Sequence, residues 1–341
     1  MNKLKQAKAN LTSKIKLPRL LNALFIRIID IAKSITLPGM QGVPIYNVAV
    51  FYINGITNGA IDIRASAISF NFFIALFPSI IFLFTLIPYI PIENFQFEFL
   101  NLFRQMLPSD TFQVIENTII DITTIKRGSL LSFGFLAALI FSTNGISAMI
   151  AAFNASANSF ENRKWLSMRI VAIGLVFIMF ILITIATGFI IFGKHILAWL
   201  LEKSIIRSGF SQFLFVSIQW IIILAFILFC ISFLYHYAPS KKAKYSFFSP
   251  GSIMASLLTI GSSLLFSYYL SHFGTYNKLY GSIGTLIAVL IWIEINSFVL
   301  LMGFELNVSI QHAKQGLKRE LELSENTKEY NRYYPKKDDL L

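Results

Sequence analysis

Cysteine is nearly absent from this chain. Cys230 stands alone inside an apolar run, so it allows no intramolecular disulfide and no cysteine metal cluster. The role that suits it best is that of a small buried apolar residue. Histidine is equally sparse. His195, His236, His272 and His312 are scattered and share no ligand spacing, so no metal site and no cofactor is expected. There is no GxxxxGK[ST] loop, which argues against ATP-driven transport by this chain alone. Charge is thin as well, at 13% of residues, where a soluble globular chain carries about 25%. The first twenty residues are basic and polar and lack an apolar core segment, so no cleavable signal peptide is expected.

What the chain has instead is hydrocarbon. Of its 341 residues 55% are hydrophobic, and the mean hydropathy is +0.66. The apolar residues are gathered into six runs of about 65–89, 129–153, 169–192, 213–235, 250–270 and 281–307. Each is long enough to cross a bilayer as a helix at about 1.5 Å per residue. The predicted fold is therefore all-α, a polytopic integral membrane protein with six transmembrane helices. The expected organisation is a basic N-terminal region with amphipathic helices over 1–64, a six-helix membrane domain over 65–310, and a charged tail over 311–341. The longest loop, 91–128, carries amphipathic pieces and is expected to be helical and periplasmic.

The net charge of +12 invites a nucleic-acid reading. The placement of the charges argues against it. With the loops labelled alternately, 22 lysines and arginines fall on the side of the termini and 7 on the other. The positive-inside rule then puts both termini in the cytoplasm. Topology accounts for the basic excess, and no nucleic-acid partner is expected. The lysines of residues 1–19 are either a solvated tail or an electrostatic attachment to anionic membrane lipid.

The last apolar run holds the most informative polar residues. Glu294 and Glu305 are the only acids in any membrane-length segment, and they lie eleven positions apart. On a helix that places them about 20° apart on one face and about 16 Å apart along it. Asn296 and Asn307 share the same offset. Glu294 falls near the middle of the run. There an ionised carboxyl costs about 2.5–3.5 kcal/mol even on lenient scales, so it is expected to be protonated or hydrogen-bonded. One reading makes it a proton- or substrate-coupling group. The other makes it a neutral carboxyl bonded to Asn144 or a serine. Glu305, level with Arg64 and Arg169, is expected to form a structural ion pair, with Arg64 first in rank and Arg169 second. Pro78 is expected to kink the first span. The stretch from Tyr276, Asn277 and Tyr280 to Gly281 and Gly284 reads as a loop entering the last helix. Its glycines suit close packing or a sharp entry.

With the spans placed, the sequence resembles the YihY/BrkB family of bacterial inner-membrane proteins, also called UPF0761. The resemblance covers roughly residues 42–311. It rests on Arg64 to Phe70 followed by Leu76-Phe77-Pro78, on Ser142 to Asn154, on Tyr276 to Gly284, and on Gly303-Phe304-Glu305-Leu306-Asn307. It implies six transmembrane helices, a multi-pass protein of the inner (plasma) membrane, and no established activity. An older ribonuclease BN label is regarded as a misattribution. The residues themselves give such an enzyme no footing, since the acids are scattered and no His/Asp cluster exists. The chain is expected not to be an enzyme. The leading expectation is a transporter or lipid-handling protein using the polar face of the last span. The alternative is a structural or scaffolding membrane protein whose basic face binds lipid or partners.

Overall fold

The computed structural model describes residues 27, 29–90, 120–121, 125–157, 164–203, 209–240, 245–272 and 274–333. These residues form helices and short connections, with no strand among them. We label the helices α1 (Ile45–Asn58), α2 (Ile61–Leu86), α3 (Gly128–Ser156), α4 (Trp165–Glu202), α5 (Gly209–Tyr237), α6 (Pro250–His272) and α7 (Gly274–Tyr333). A 3-10 turn, Ile87–Tyr89, closes α2. Six helices, α2 to α7, are long and apolar enough to cross a membrane. Their outward side chains are large and apolar: Phe133 is 69% exposed, Phe192 70% and Leu265 70%. Hydrocarbon, not water, is the medium such a surface requires. The loop expected over 91–128 lies almost wholly outside the described residues, as do the basic tail 1–19 and the lysines of 241–244.

Local sequence sets several of these helix ends. At the start of α6, Ser249 Oγ accepts the backbone N–H of Ser252 at 3.2 Å, and the N–H of Ser249 donates to Ser252 Oγ at 3.0 Å. Pro250 occupies the first helical position, where no N–H is needed. Pro78 lies inside α2, which continues past it to Leu86. The hydroxyl of Ser79 donates to the carbonyl of Ala75 at 2.7 Å, next to the Ile74 carbonyl that the proline leaves without a donor. The stretch expected as a loop over 276–284 is helical: α7 begins at Gly274. Glycine is tolerated inside membrane helices, and here Gly281 and Gly284 do not interrupt the ladder.

Residues 59–305 form one compact unit. Within it α2 packs on α3, α3 on α4, α4 on α5, and α5 on α6. The small-residue stripe of α3 serves α2: a Cβ on Gly134 would lie 3.3 Å from the backbone of Phe82, and one on Gly145 would lie 3.0 Å from the Phe72 ring. Three aromatic rings lock the interior. Phe153 of α3 stacks on Phe304 of α7 at 4.2 Å, and Tyr235 of α5 meets them edge-on at 5.6 and 5.4 Å. The buried Tyr235 hydroxyl donates to the Leu300 carbonyl at 2.5 Å. Beside it, Gly303 lets α7 touch α6. A Cβ there would fall 2.5 Å from the Gly251 carbonyl oxygen and 2.6 Å from Ala255 Cβ.

The remaining described residues, on either side of this unit in sequence, form a second one. Its core is Met40, Val43, Val48, Ile310 and Ala313, flanked by Phe51 and Leu317. The Pro38–Pro44 break turns through positive φ at Gly39, Gln41 and Gly42. Lys314 Nζ donates to Gln41 Oε1 at 3.0 Å, and the His312 ring meets Phe51 edge-on at 6.3 Å.

Candidate functional site

The polar residues of the membrane unit gather around the first turn of α2. Arg64 is half-buried there. Its guanidinium donates to the Ala152 carbonyl at 2.9 Å, to Ser156 Oγ at 2.8 Å, and to the Gly59 carbonyl at 2.5 Å. It therefore adds a donor to the last turns of α3 and to the turn preceding α2. Glu305, only 6% exposed, shares a hydrogen bond with Ser156 and feels the Arg64 charge. Ser156 thus accepts from the arginine and donates to the carboxylate. The two charges share this hydroxyl and also act on each other through space, and no direct ion pair between them forms among the described residues.

Glu294 sits higher on α7, half-exposed, and accepts a hydrogen bond from Ser66 Oγ at 2.5 Å. Arg64 and Ser66 are two residues apart, about 3 Å of helix rise, whereas the carboxyls are about 16 Å apart along α7. One turn of α2 therefore addresses both carboxyls, Ser66 directly and Arg64 through Ser156. Their surroundings differ. Glu305 is buried, with the Ser156 hydroxyl as its hydrogen-bond partner and the Arg64 charge nearby, an arrangement suited to holding helices in register. Glu294 has one hydroxyl partner and an open side. Ile63 and Phe70 on α2 and Ile291 and Trp292 on α7 are exposed nearby in sequence. Such a carboxyl can exchange a proton or meet a polar group arriving from the membrane.

The other candidates are dispersed. Arg169 donates to Asn144 Oδ1 at 2.6 Å, with its guanidinium 5.7 Å from the Trp165 ring. That arginine and that asparagine are thus engaged with each other. Asn296 donates to the Trp292 carbonyl of its own helix at 2.8 Å. Asn307 is buried in the second unit, at 1% exposure. Gly284 is buried, and the side chains of Tyr276, Asn277 and Tyr280 lie outside the described residues. Among the described residues no three His, Cys, Asp or Glu side chains are placed to hold a metal ion.

Sequence reasoning did not single out Ser156 as a site residue. It also missed the clamp in which Asn154 binds Ser240 twice, by donation to Oγ and acceptance from the backbone N–H, each at 2.8 Å. The available signal was faint: Asn154 and Ser156 are polar residues closing an otherwise small and apolar stripe.

These features define a multi-pass α-helical membrane protein in which Arg64, Ser66, Ser156, Glu294 and Glu305 link three of the helices. More narrowly, the chain belongs to the virulence factor BrkB family, whose model matches residues 53–328. YfkH of Bacillus subtilis (strain 168), whose name describes it as ribonuclease-like, is 30% identical over 252 residues, covering 74% of this chain and 90% of YfkH. A UPF0761 membrane protein of Idiomarina loihiensis is 26% identical over 212 residues, 62% of this chain and 71% of the relative. One from Pseudoalteromonas translucida is 31% identical over 124 residues, 36% and 40% of the two chains. No solved structure matches.

Proposed function

We propose that this protein handles an amphiphilic membrane molecule, as a transporter or lipid-handling protein without catalytic turnover, along the face shared by α2 and α7. The observation that carries this reading is the Ser66–Glu294 pair, half-exposed within membrane-length helices. A carboxyl in hydrocarbon is costly and is normally turned inward or towards a wet cavity. One left with an open side among outward apolar residues can offer a lipid head group a polar partner as it crosses the apolar layer. The ribonuclease-like name of YfkH describes that protein. The acids of this chain are scattered in sequence and its four histidines share no ligand spacing, which is the ground for leaving RNA cleavage aside.

Proteoliposome flux, including lipid scrambling, tests the reading with wild type and Glu294→Gln side by side. Flux by the wild type and its reduction in the variant support it. Equal inactivity of both, in protein that remains folded, overturns it. That outcome favours the scaffolding alternative, which draws its own support from the closed Arg64–Ser156–Glu305 and Asn154–Ser240 contacts.

A further inference from the structure

A groove of about 740 Å³ runs between α4 and α5, away from the polar face described above. Phe189, Phe192 and Ile196 of α4 form one wall and Ile218, Ile222 and Phe226 of α5 the other. The Phe189 and Phe226 rings approach to 5.6 Å, bringing the two walls together at that level. Glycine opens it. Nothing lies within 4 Å of a Cβ placed on Gly188, and one on Gly193 would meet only Gln219 Nε2, at 3.8 Å. Among the described residues, Gln219 is the only polar side chain in the lining.

We propose that this groove holds one acyl chain of a glycerolipid. Three features identify the occupant. The groove lies between two helices that carry membrane-length apolar spans, Trp165–Phe189 and Phe213–Tyr237, and most of its lining belongs to those spans, so hydrocarbon is the medium along most of its mouth. Its lining on α4 extends from Ile185 past the end of that span to Ile196, about 16 Å of helix, a length comparable to one leaflet of a hydrocarbon core about 30 Å thick. Its volume falls within the range of about 300–1,000 Å³ typical of built ligand sites and exceeds that of an incidental packing gap. Gln219 then has a defined task. It lies ten residues into α5, towards the end of the lining that begins at Phe215, where its amide N–H can donate to the ester carbonyl from which the chain hangs. With both termini cytoplasmic, this is the outer leaflet. The site is separate from Glu294 and stands independently of the flux reading.

Photocrosslinking tests it with the full chain in nanodiscs containing a phosphatidylglycerol that carries a diazirine in one acyl chain. Mass spectrometry of the labelled peptides compares the groove with Phe133 and Leu136 on α3, which are equally open to lipid. The expected result is several-fold more label in the groove, with Gly188→Leu abolishing that excess and leaving the α3 label unchanged. Ala186→Leu, on the same wall, is the second filling variant should Gly188→Leu not assemble. Equal labelling of groove and α3 overturns the proposal, as does an excess that neither filling variant reduces. Protein–protein crosslinks in place of lipid adducts also overturn it, because a second copy would then be the occupant.

Discussion

Arg64 and Glu305 are joined through a third side chain: Ser156 Oγ accepts from the guanidinium at 2.8 Å and shares a hydrogen bond with the carboxyl. The arrangement couples α2, α3 and α7 at one point. A buried charge that loses its partner costs more than a pair removed together. Arg64→Gln or Glu305→Gln alone should therefore destabilise the protein by about 1–3 kcal/mol. The double variant should recover part of that, with a coupling of about 1 kcal/mol. Ser156→Ala should cost about 0.6–1.7 kcal/mol and shrink the coupling, since the hydroxyl carries part of it. Thermal denaturation in detergent measures all four variants, and strict additivity of Arg64→Gln and Glu305→Gln would rule the linkage out.

Gly303 supplies a second stability test. Its added Cβ would collide at 2.5–2.6 Å with the Gly251 carbonyl, the Tyr235 hydroxyl and Ala255 Cβ. Two of these contacts come from helix bodies and cannot swing away. Gly303→Ala should separate α7 from α6, strain the Tyr235–Leu300 hydrogen bond, and cost about 1–3 kcal/mol. Gly261→Ala is the control, because nothing lies within 4 Å of its Cβ. It should be neutral or slightly stabilising. A Gly303→Ala protein as heat-stable as wild type would mean that α6 and α7 do not meet there.

The membrane helices were legible because hydropathy is a bulk property: a run such as Ser129 to Phe153 announces itself without knowledge of its neighbours. Helix ends were less so. The helical backbone over 276–284 was missed because its glycines read as punctuation. The charged tail from Gln311 suits an exposed helix, and α7 does continue to Tyr333, with no proline to interrupt it before Pro335. The site was half legible. Two carboxyls on one helical face follow from a spacing of eleven, and the importance of Arg64 followed from its depth. Ser156 could not be found this way. Its partner Arg64 is 92 positions distant in sequence, and a serine among small residues carries no hydropathy signature. Arg169 was ranked by depth as well, yet Asn144 engages it within α3–α4, a contact that depends on the rotation of those helices.

Orientation gives the third prediction. The division of 22 basic residues against 7 is the ground on which we propose that both chain ends face the cytoplasm. In a Cys230→Ala background, Tyr330→Cys should resist a membrane-impermeant thiol reagent in intact cells and react after permeabilisation. Labelling from the periplasmic side would reverse the assignment. It would also move the α4–α5 groove to the other leaflet.

A fourth concerns the ribonuclease-like name carried by YfkH. The purified chain should show no RNA cleavage above that of a mock preparation. The outcome that would sink this is metal-dependent cleavage that copurifies with the protein and disappears on a single substitution within it.

The last prediction separates the two carboxyls of α7. Glu294 is half-exposed with Ser66 as its hydrogen-bond donor, whereas Glu305 is enclosed. Truncating an exposed polar pair removes little packing, so Glu294→Gln and Ser66→Ala should each shift stability by less than about 1 kcal/mol. Transport should respond differently. Glu294→Gln removes the ionisable group and should lower lipid flux strongly. Ser66→Ala leaves the carboxyl in place without its hydroxyl and should lower flux less. The double variant should match Glu294→Gln alone, because Ser66 acts only through the carboxyl it binds. Glu305→Gln should show the opposite profile, losing stability first and flux only in proportion to the folded fraction. If Glu305→Gln abolished flux in protein as stable as wild type while Glu294→Gln left it intact, the carboxyl that handles substrate would be the enclosed one. The Arg64–Ser156 pair would then be its gate and not its anchor.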